Sequence, residues 1–204
     1  MNLKNYYWWF DSIIPSRICD DIVKYGISQN SQLAITGNFQ GIEKLSSEQE
    51  KDLKKLRDSK VSFLTEPWIF KEIHPFINQA NKNAEWNFEW SDSESCQFTK
   101  YGLNQHYDWH CDSWTEPYKD PPWRKGLIRK LSAIVALSNS SEYVGGDLEF
   151  DLRYQEKPKI VICKELKNKG SMVVFPSFVW HRVKPVTEGT RYSLVAWNLG
   201  QPYV

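Results

Sequence analysis

From residue 85 to residue 199 the chain is written almost entirely in short alternating runs. Nine follow one another: Glu85–Trp90, Ser95–Tyr101, His106–Asp112, Leu131–Ser138, Asp147–Leu152, Ile160–Cys163, Ser171–Phe175, His181–Val186 and Arg191–Leu199. Turn signals such as Gly145-Gly146 and Glu188-Gly189 separate several of them. Successive side chains of a strand point to opposite faces, so each run can bury one face and wet the other. Many short strands with turns between them predict a sandwich, jelly roll or barrel.

The first 83 residues read differently. Trp8–Phe10 fits a short strand, and Pro15-Ser16 opens a helix with an apolar stripe of Ile18, Ile22 and Tyr25, ending at Gly26. A charged helix is expected from about Ser47 to Arg57 with Leu53 and Leu56 inward. A third begins near Pro67 and carries Ile69, Phe70, Ile73, Phe76, Ile77 and Ala80. Its His74-Pro75 step is a blemish, because an internal proline removes a hydrogen bond and crowds the preceding turn. Residues 31–45 show no period and read as a loop or weak strands. Helices first and strands after predict an α+β chain, and 204 residues suit one domain.

Charge narrows the function. With 26 basic and 25 acidic side chains, the net charge of +1 argues against a dedicated nucleic-acid binder. Cys19, Cys96, Cys111 and Cys163 form no Cys-x-x-Cys pair, so they read as scattered reduced thiols rather than a zinc or redox site. No segment approaches the ~20 apolar residues of a membrane span. The Tyr6–Phe10 run is too short and too aromatic for a signal peptide, so no membrane association and a cytoplasmic location are expected. Ten each of Trp, Tyr and Phe suit either a bulky core or a pocket for an apolar or peptide substrate.

The chemistry concentrates in the histidines. There are four, His74, His106, His110 and His181, and two closely spaced His-x-Asp steps, His106-Tyr107-Asp108 and His110-Cys111-Asp112. On a strand, such a step sets an imidazole and a carboxylate side by side. One histidine from a neighbouring strand would complete a two-histidine, one-carboxylate set that holds Fe(II) and leaves positions open. His181 is the natural third member, with Arg191 ten residues on. The residues alone leave both His-x-Asp steps open.

The stretch Tyr101-Gly102-Leu103-Asn104-Gln105-His106-Tyr107-Asp108-Trp109-His110-Cys111-Asp112 resembles the Tyr-Gly-x-x-Gln-x-Tyr-x-x-His-x-Asp block of prolyl 4-hydroxylase-like 2-oxoglutarate- and Fe(II)-dependent dioxygenases. Leu131-Ser132-Ala133 through Tyr143-Val144-Gly145-Gly146-Asp147-Leu148 is similar to their next strand and turn. Gly170–Pro176 followed by His181-Arg182-Val183, Pro185-Val186, Gly189 and Arg191-Tyr192 resembles their C-terminal signature. Matched blocks in the right order over roughly 96–199 make the likeness specific.

The resemblance implies a double-stranded β-helix (jelly-roll) core with N-terminal supporting helices. It further implies one domain over 1–204, helix-rich over 1–83 with the core from about 84 to 204. It selects His110, Asp112 and His181 as metal ligands and leaves His106 and Asp108 as approach residues, His106 a solvated or hydrogen-bonded loop side chain. His74 reads as a helix-surface residue. Arg191 is expected to hold the far carboxylate of 2-oxoglutarate, since guanidinium offers a planar two-point contact. Alternation from 191 to 197 puts Ser193, Val195 and Trp197 on the same face, Ser193 to add a hydroxyl and Trp197 to wall the pocket. Tyr101 matches a tyrosine bonding the cosubstrate, and Tyr107 one at the substrate entrance. Some relatives place a hydroxyl on the strand equivalent to 131–138, where only Ser132 and Ser138 are polar. Cys111 should point away from the ligands.

The long Ser113–Gly126 segment corresponds to a region that closes over substrate. Its Trp114, Tyr118, Pro121, Pro122, Trp123 and Arg124 would clasp an extended proline-bearing peptide or merely pin the loop. Arg129 would meet an acidic group of the substrate or sit on the surface as a simple charge. The implied activity is hydroxylation of an unactivated C–H bond, a peptidyl prolyl residue first, with release of succinate and CO₂. Fe(II) is the implied cofactor, 2-oxoglutarate the cosubstrate and ascorbate the reductant. The alternatives are a hydroxylase of a free amino acid or other small molecule, and a non-catalytic binding module, which the intact ligand set disfavours.

Overall fold

The computed structural model describes residues 3–36, 39, 42, 45–113, 116–153 and 157–203. The first part runs β1 (Trp8–Phe10), α1 (Ser16–Ser28), β2 (Gln32–Leu33), α2 (Ser47–Leu56), β3 (Arg57–Asp58), β4 (Lys60–Leu64) and α3 (Pro67–Asn83). Residues 1–83 mix helix with strand, and the four strands among the described residues join the sheets.

The helices form for local reasons and differ from expectation in three places. α1 continues past Gly26; a Cβ there would lie 2.4 Å from the Phe98 ring, so the glycine permits close packing rather than ending the helix. α2 starts with a capping box, Ser46 and Gln49 each bonding the other's backbone. Leu53 is buried, but Leu56 is 45% exposed: the helix ends there, and Arg57 takes the inward direction instead. α3 buries Ile69, Ile73, Ile77 and Ala80 in one stripe and runs unbroken through Pro75, which lies on the exposed side. There the carbonyl that loses its partner can be bonded by water.

The run at 85–90 is not a strand. Glu85 and Asn87 adopt positive φ, and Asn81 clamps Phe88 by donating to its carbonyl and accepting from its N–H, which fixes a loop. Strands resume at β5 (Asp92–Ser93), β6 (Cys96–Tyr101), β7 (His106–His110), β8 (Ile128–Ala136) and β9 (Tyr143–Gly145). They continue with β10 (Leu148–Asp151), β11 (Ile160–Ile162), β12 (Met172–Pro176), β13 (Trp180–Val183), β14 (Val186–Gly189) and β15 (Arg191–Gly200).

Two antiparallel sheets face each other as a jelly roll. The larger has the order β1-β12-β8-β15-β6-β4-β2 with β5 beside β15, and the smaller β11-β10-β13-β7-β3. Successive core strands cross between sheets, and β9 and β14 pair separately. Alternation makes β8 and β12 buried on both sides. Leu131, Ala133, Val135, Met172 and Val174 meet Ile22, Ile69, Ile73 and Ile77 of the helices. Ile134, Ala136, Val173 and Phe175 instead meet Leu148, Phe150 and Val183 between the sheets. The helices thus brace one face of the larger sheet, leaving its inner face to build the site. Among the described residues no helix is long and apolar enough to cross a membrane.

Candidate metal centre

Strand pairing assembles the cluster. β7 and β13 are antiparallel neighbours in which His110 lies directly opposite His181. Asp112 follows two residues later, just beyond β7, where the N–H groups of Asp112 and Ser113 both donate to the Ser177 carbonyl at 2.8 and 2.9 Å. His110 Nε2 lies 3.7 Å from Asp112 Oδ1, and His181 Nε2 lies 3.7 Å from Asp112 Oδ2. One ligand atom from each of the three falls within 4.8 Å of the others.

The donor set suits a divalent metal. The Nδ1 atoms of His110 and His181 lie 2.7 and 2.9 Å from the carbonyls of Asp108 and Val179, so each Nδ1–H donates outward and each Nε2 lone pair faces the carboxylate. Burial, with His181 alongside, holds His110 well below the usual imidazole range, hence neutral at physiological pH. Burial alone would raise the Asp112 pKa, but His181, His110 and Arg129 outweigh it and hold it at about 2. Two imidazoles with their Nε2 atoms turned to one carboxylate are a fitting set for Fe(II).

The other His-x-Asp step is elsewhere. His106 is on the same strand, but roughly 13 Å along it, and its ring nitrogens lie against the carbonyls of Asn104 and Lys55. Asp108 is exposed. His74 is half-buried rather than on the helix surface, between Phe70 and Trp90 and 3.1 Å from Ser93 Oγ. Cys111 donates to the Ser113 carbonyl.

The pocket over the cluster is lined by Arg191, Ser193, Val195 and Trp197 from one face of β15, with Tyr101, Tyr107, Gln97, Ile134 and Val183. Arg191 is 3% exposed, pairs across strands with Tyr101, and donates to Ser193 Oγ at 3.2 Å. Among the described residues no carboxylate neutralises it. Burial raises the Tyr101 pKa, so its phenol stays a donor. Tyr107 stacks on His110 at 3.5 Å and bonds Thr36 through its hydroxyl, so it packs the ligand as well as lining the pocket.

Arg129 and Tyr118 converge on Glu94. Arg129 grips Glu94 through two contacts of 2.6 and 2.7 Å and stacks over Trp197 at 3.9 Å, so it is a paired, largely buried charge and not a simple surface one. Tyr118 donates to the same Glu94 at 2.7 Å, and Arg124 binds Asp92 and the Ser93 carbonyl. Trp123 is 75% exposed. Trp114 lies outside the described residues.

Two contributors carried little sequence signal. Ser132 donates to Asp112 Oδ2 at 2.8 Å, so the hydroxyl on this strand serves the carboxylate. Arg57 lines the pocket at 5% exposure with its guanidinium 4.3 Å from the Tyr107 ring centre, although in sequence it closes a charged helix and looks solvated.

Comparison with known proteins agrees with this architecture. The family model described as 2OG-Fe(II) oxygenase superfamily matches residues 96–198. A PKHD-type hydroxylase from Psychrobacter sp. (strain PRwf-1) is 34% identical over 101 residues, which cover 49% of this chain and 36% of the relative. One from Pseudoalteromonas atlantica is 30% identical over 102 residues, covering 50% and 41%. The matches therefore span less than half of these curated relatives. Among solved structures, the viral collagen prolyl hydroxylase from Paramecium Bursaria Chlorella virus-1 gives a TM-score of 0.64 at 16% identity, covering 97% of both chains. A Pseudomonas putida prolyl-4-hydroxylase gives 0.62 at 17%, covering 98% of this chain and 95% of that one, a likeness of fold.

Proposed function

The chain belongs to the 2OG-Fe(II) oxygenase superfamily, and on that premise we propose that it hydroxylates an unactivated C–H bond, a prolyl residue of a peptide being the first candidate. The observation that carries the reading is the buried His110–Asp112–His181 cluster beside the unneutralised Arg191. His110 Nε2, His181 Nε2 and the Asp112 carboxylate would hold Fe(II). Bound there, Fe(II) supplies the redox chemistry that couples oxidative decarboxylation of 2-oxoglutarate, to succinate and CO₂, with insertion of one oxygen atom into a substrate C–H bond.

The chain's own residues do the rest. Arg191, with Ser193 beside it, binds the carboxylate of 2-oxoglutarate remote from the metal. Tyr101, held protonated by burial, donates a hydrogen bond to the cosubstrate. Ile134, Val183, Val195 and Trp197 exclude water from the reacting centre. We read residues 1–204 as one oxygenase domain, helix-rich over 1–83 with its jelly roll from about 84, because the helices brace the sheet that carries Arg191. Four free cysteines suit a reducing, cytoplasmic setting.

The peptide reading draws on the long 113–126 segment and its exposed Trp123. A second reading, a free amino acid or other small molecule, is favoured by Tyr118 and Arg124 being engaged with Glu94 and Asp92 rather than turned to a ligand. The test is to incubate the protein with Fe(II), ascorbate, O₂ and 2-oxoglutarate against a panel of prolyl peptides and amino acids. Succinate and a product one oxygen atom heavier are read by mass spectrometry. Products from peptides support the first reading and products from free amino acids the second; no 2-oxoglutarate turnover at all overturns both.

A further inference from the structure

Arg57 sits in the pocket as a buried cation without a counter-charge. Its residue exposure is 5%, and its Nη2 is buried with no hydrogen-bond partner. Nε donates to Ser59 Oγ at 3.1 Å, and the guanidinium carbon lies 4.3 Å from the centre of the Tyr107 ring. His110 stacks on that ring at 3.5 Å, and two planar groups so close cannot share one face, so Tyr107 lies between His110 and Arg57. These contacts position the guanidinium without neutralising it. Among the described residues Arg57 makes no ion pair. Buried charges in folded proteins are paired or bind a ligand, so the missing partner is informative.

Resting on the oxygenase reading, we infer that Arg57 binds a carboxylate of the primary substrate. On that reading 2-oxoglutarate would be accounted for by the metal ligands and Arg191, without Arg57. Fe(II) and two guanidiniums, set against the Asp112 carboxylate and a 2-oxoglutarate dianion, leave one positive charge. A single carboxylate cancels it, whereas a phosphomonoester dianion overshoots. Ser59 holds Nε, and Nη2 is a guanidinium donor left without a partner beside the pocket that Arg57 lines. The carboxylate has two sources, the α-carboxylate of a free amino acid or an acidic group flanking a residue in a peptide.

The experiment uses the full chain loaded with Mn(II), which binds 2-oxoglutarate without turnover. Calorimetry then follows N-acetyl-L-proline against N-acetyl-L-prolinamide, and prolyl peptides carrying a neighbouring Glu against Gln. The wild type should bind the carboxylate member of one pair about 10- to 100-fold more tightly than its amide, as a charge-assisted contact in a buried site implies. The acetylproline pair identifies an α-carboxylate and the peptide pair a flanking side chain. Arg57→Gln should erase the preference and Arg57→Lys retain part of it. Arg57→Gln should keep its affinity for 2-oxoglutarate while Arg191→Gln loses it. Arg57→Met should not lower the thermal midpoint, since it removes an unpaired buried charge.

Loss of 2-oxoglutarate affinity in Arg57→Gln equal to that in Arg191→Gln would move Arg57 to the cosubstrate and overturn the inference. Equal binding of acid and amide by the wild type, or no binding of any carboxylate probe, also overturns it. A lowered midpoint in Arg57→Met with the preference intact would make the residue structural. Failure of the wild type to bind 2-oxoglutarate with Mn(II) overturns the oxygenase reading and this inference together, before any Arg57 variant is compared.

Discussion

The hydroxyl of Ser132 donates to Oδ2 of Asp112 at 2.8 Å and lies 2.9 Å from Ser177 Oγ. Asp112 is thereby held from two sides, because its own N–H donates to the Ser177 carbonyl. A ligand oriented by such partners holds metal more tightly than the same ligand left free to turn. Ser132→Ala should weaken metal binding about 10- to 100-fold. Mn(II) titration of the variant measures this, and an unchanged affinity would mean the hydroxyl does not orient the carboxylate.

The two His-x-Asp steps predict opposite behaviour. His110→Ala and His181→Ala should abolish stoichiometric metal binding and succinate formation. His106→Ala should keep much of both, because that ring is engaged with the Asn104 and Lys55 carbonyls. Metal content and succinate release are read on the same preparations. The reverse pattern would put the site at the wrong step.

Arg191→Ala should raise the 2-oxoglutarate requirement while metal still binds. Losing a buried charge-assisted contact is expected to cost on the order of 2–4 kcal/mol, or about 30- to 1,000-fold in affinity. Calorimetric titration of 2-oxoglutarate into metal-loaded variant tests it. An unaltered affinity would remove Arg191 from the cosubstrate site.

Tyr118 and Trp123 should separate folding from substrate binding. Tyr118→Phe removes the hydroxyl that donates to Glu94 and should cost about 1 kcal/mol of stability. Trp123→Ala alters an exposed side chain and should leave the denaturation midpoint where it was. If the loop clasps a peptide, Trp123→Ala should still lower peptide hydroxylation several-fold. Denaturant unfolding and product mass on each variant distinguish the two effects.

His74 should contribute an acid sensitivity. Burial lowers its pKa from the ordinary 6.5. Between the folded value and 6.5 the unfolded chain binds more protons, so acid favours unfolding. The stability contributed by neutral His74 is whole above pH 6.5 and declines as the pH falls through the folded value. His74→Phe should flatten the slope of stability against pH just below 6.5, where His110, shifted in the same direction, still contributes, as Asp112 does at lower pH. An unchanged slope in urea titrations across this range would show that His74 binds protons equally in the folded and unfolded states.

Much of the fold and of the site was legible because period-two alternation is a property of a few neighbouring residues. It marked β6, β8, β12 and β15 to within a few residues and set Arg191, Ser193, Val195 and Trp197 on one face, where they line one pocket. The spacing of His110 and Asp112 with a distal His181 was legible for the same reason, since a strand's geometry dictates which side chains are adjacent. The run at 85–90 misled because its alternation is also compatible with a loop, and the Asn81 clamp on Phe88 decides for the loop.

What only the tertiary structure decided depends on register between distant segments. Arg57 belongs to a charged stretch whose residues look solvated, and turns inward because β3 pairs with β7 so that Arg57 lies opposite Tyr107. Ser132 reaches Asp112 because β8 lies beside β15 with Ser132 opposite Trp197, while the Ser177 carbonyl holds Asp112 nearby. Arg129 is neutralised by Glu94, 35 residues earlier. Local alternation assigns a side chain to a face, but its counter-charge or hydrogen-bond partner comes from another strand, and cross-strand register is settled by packing of the whole core.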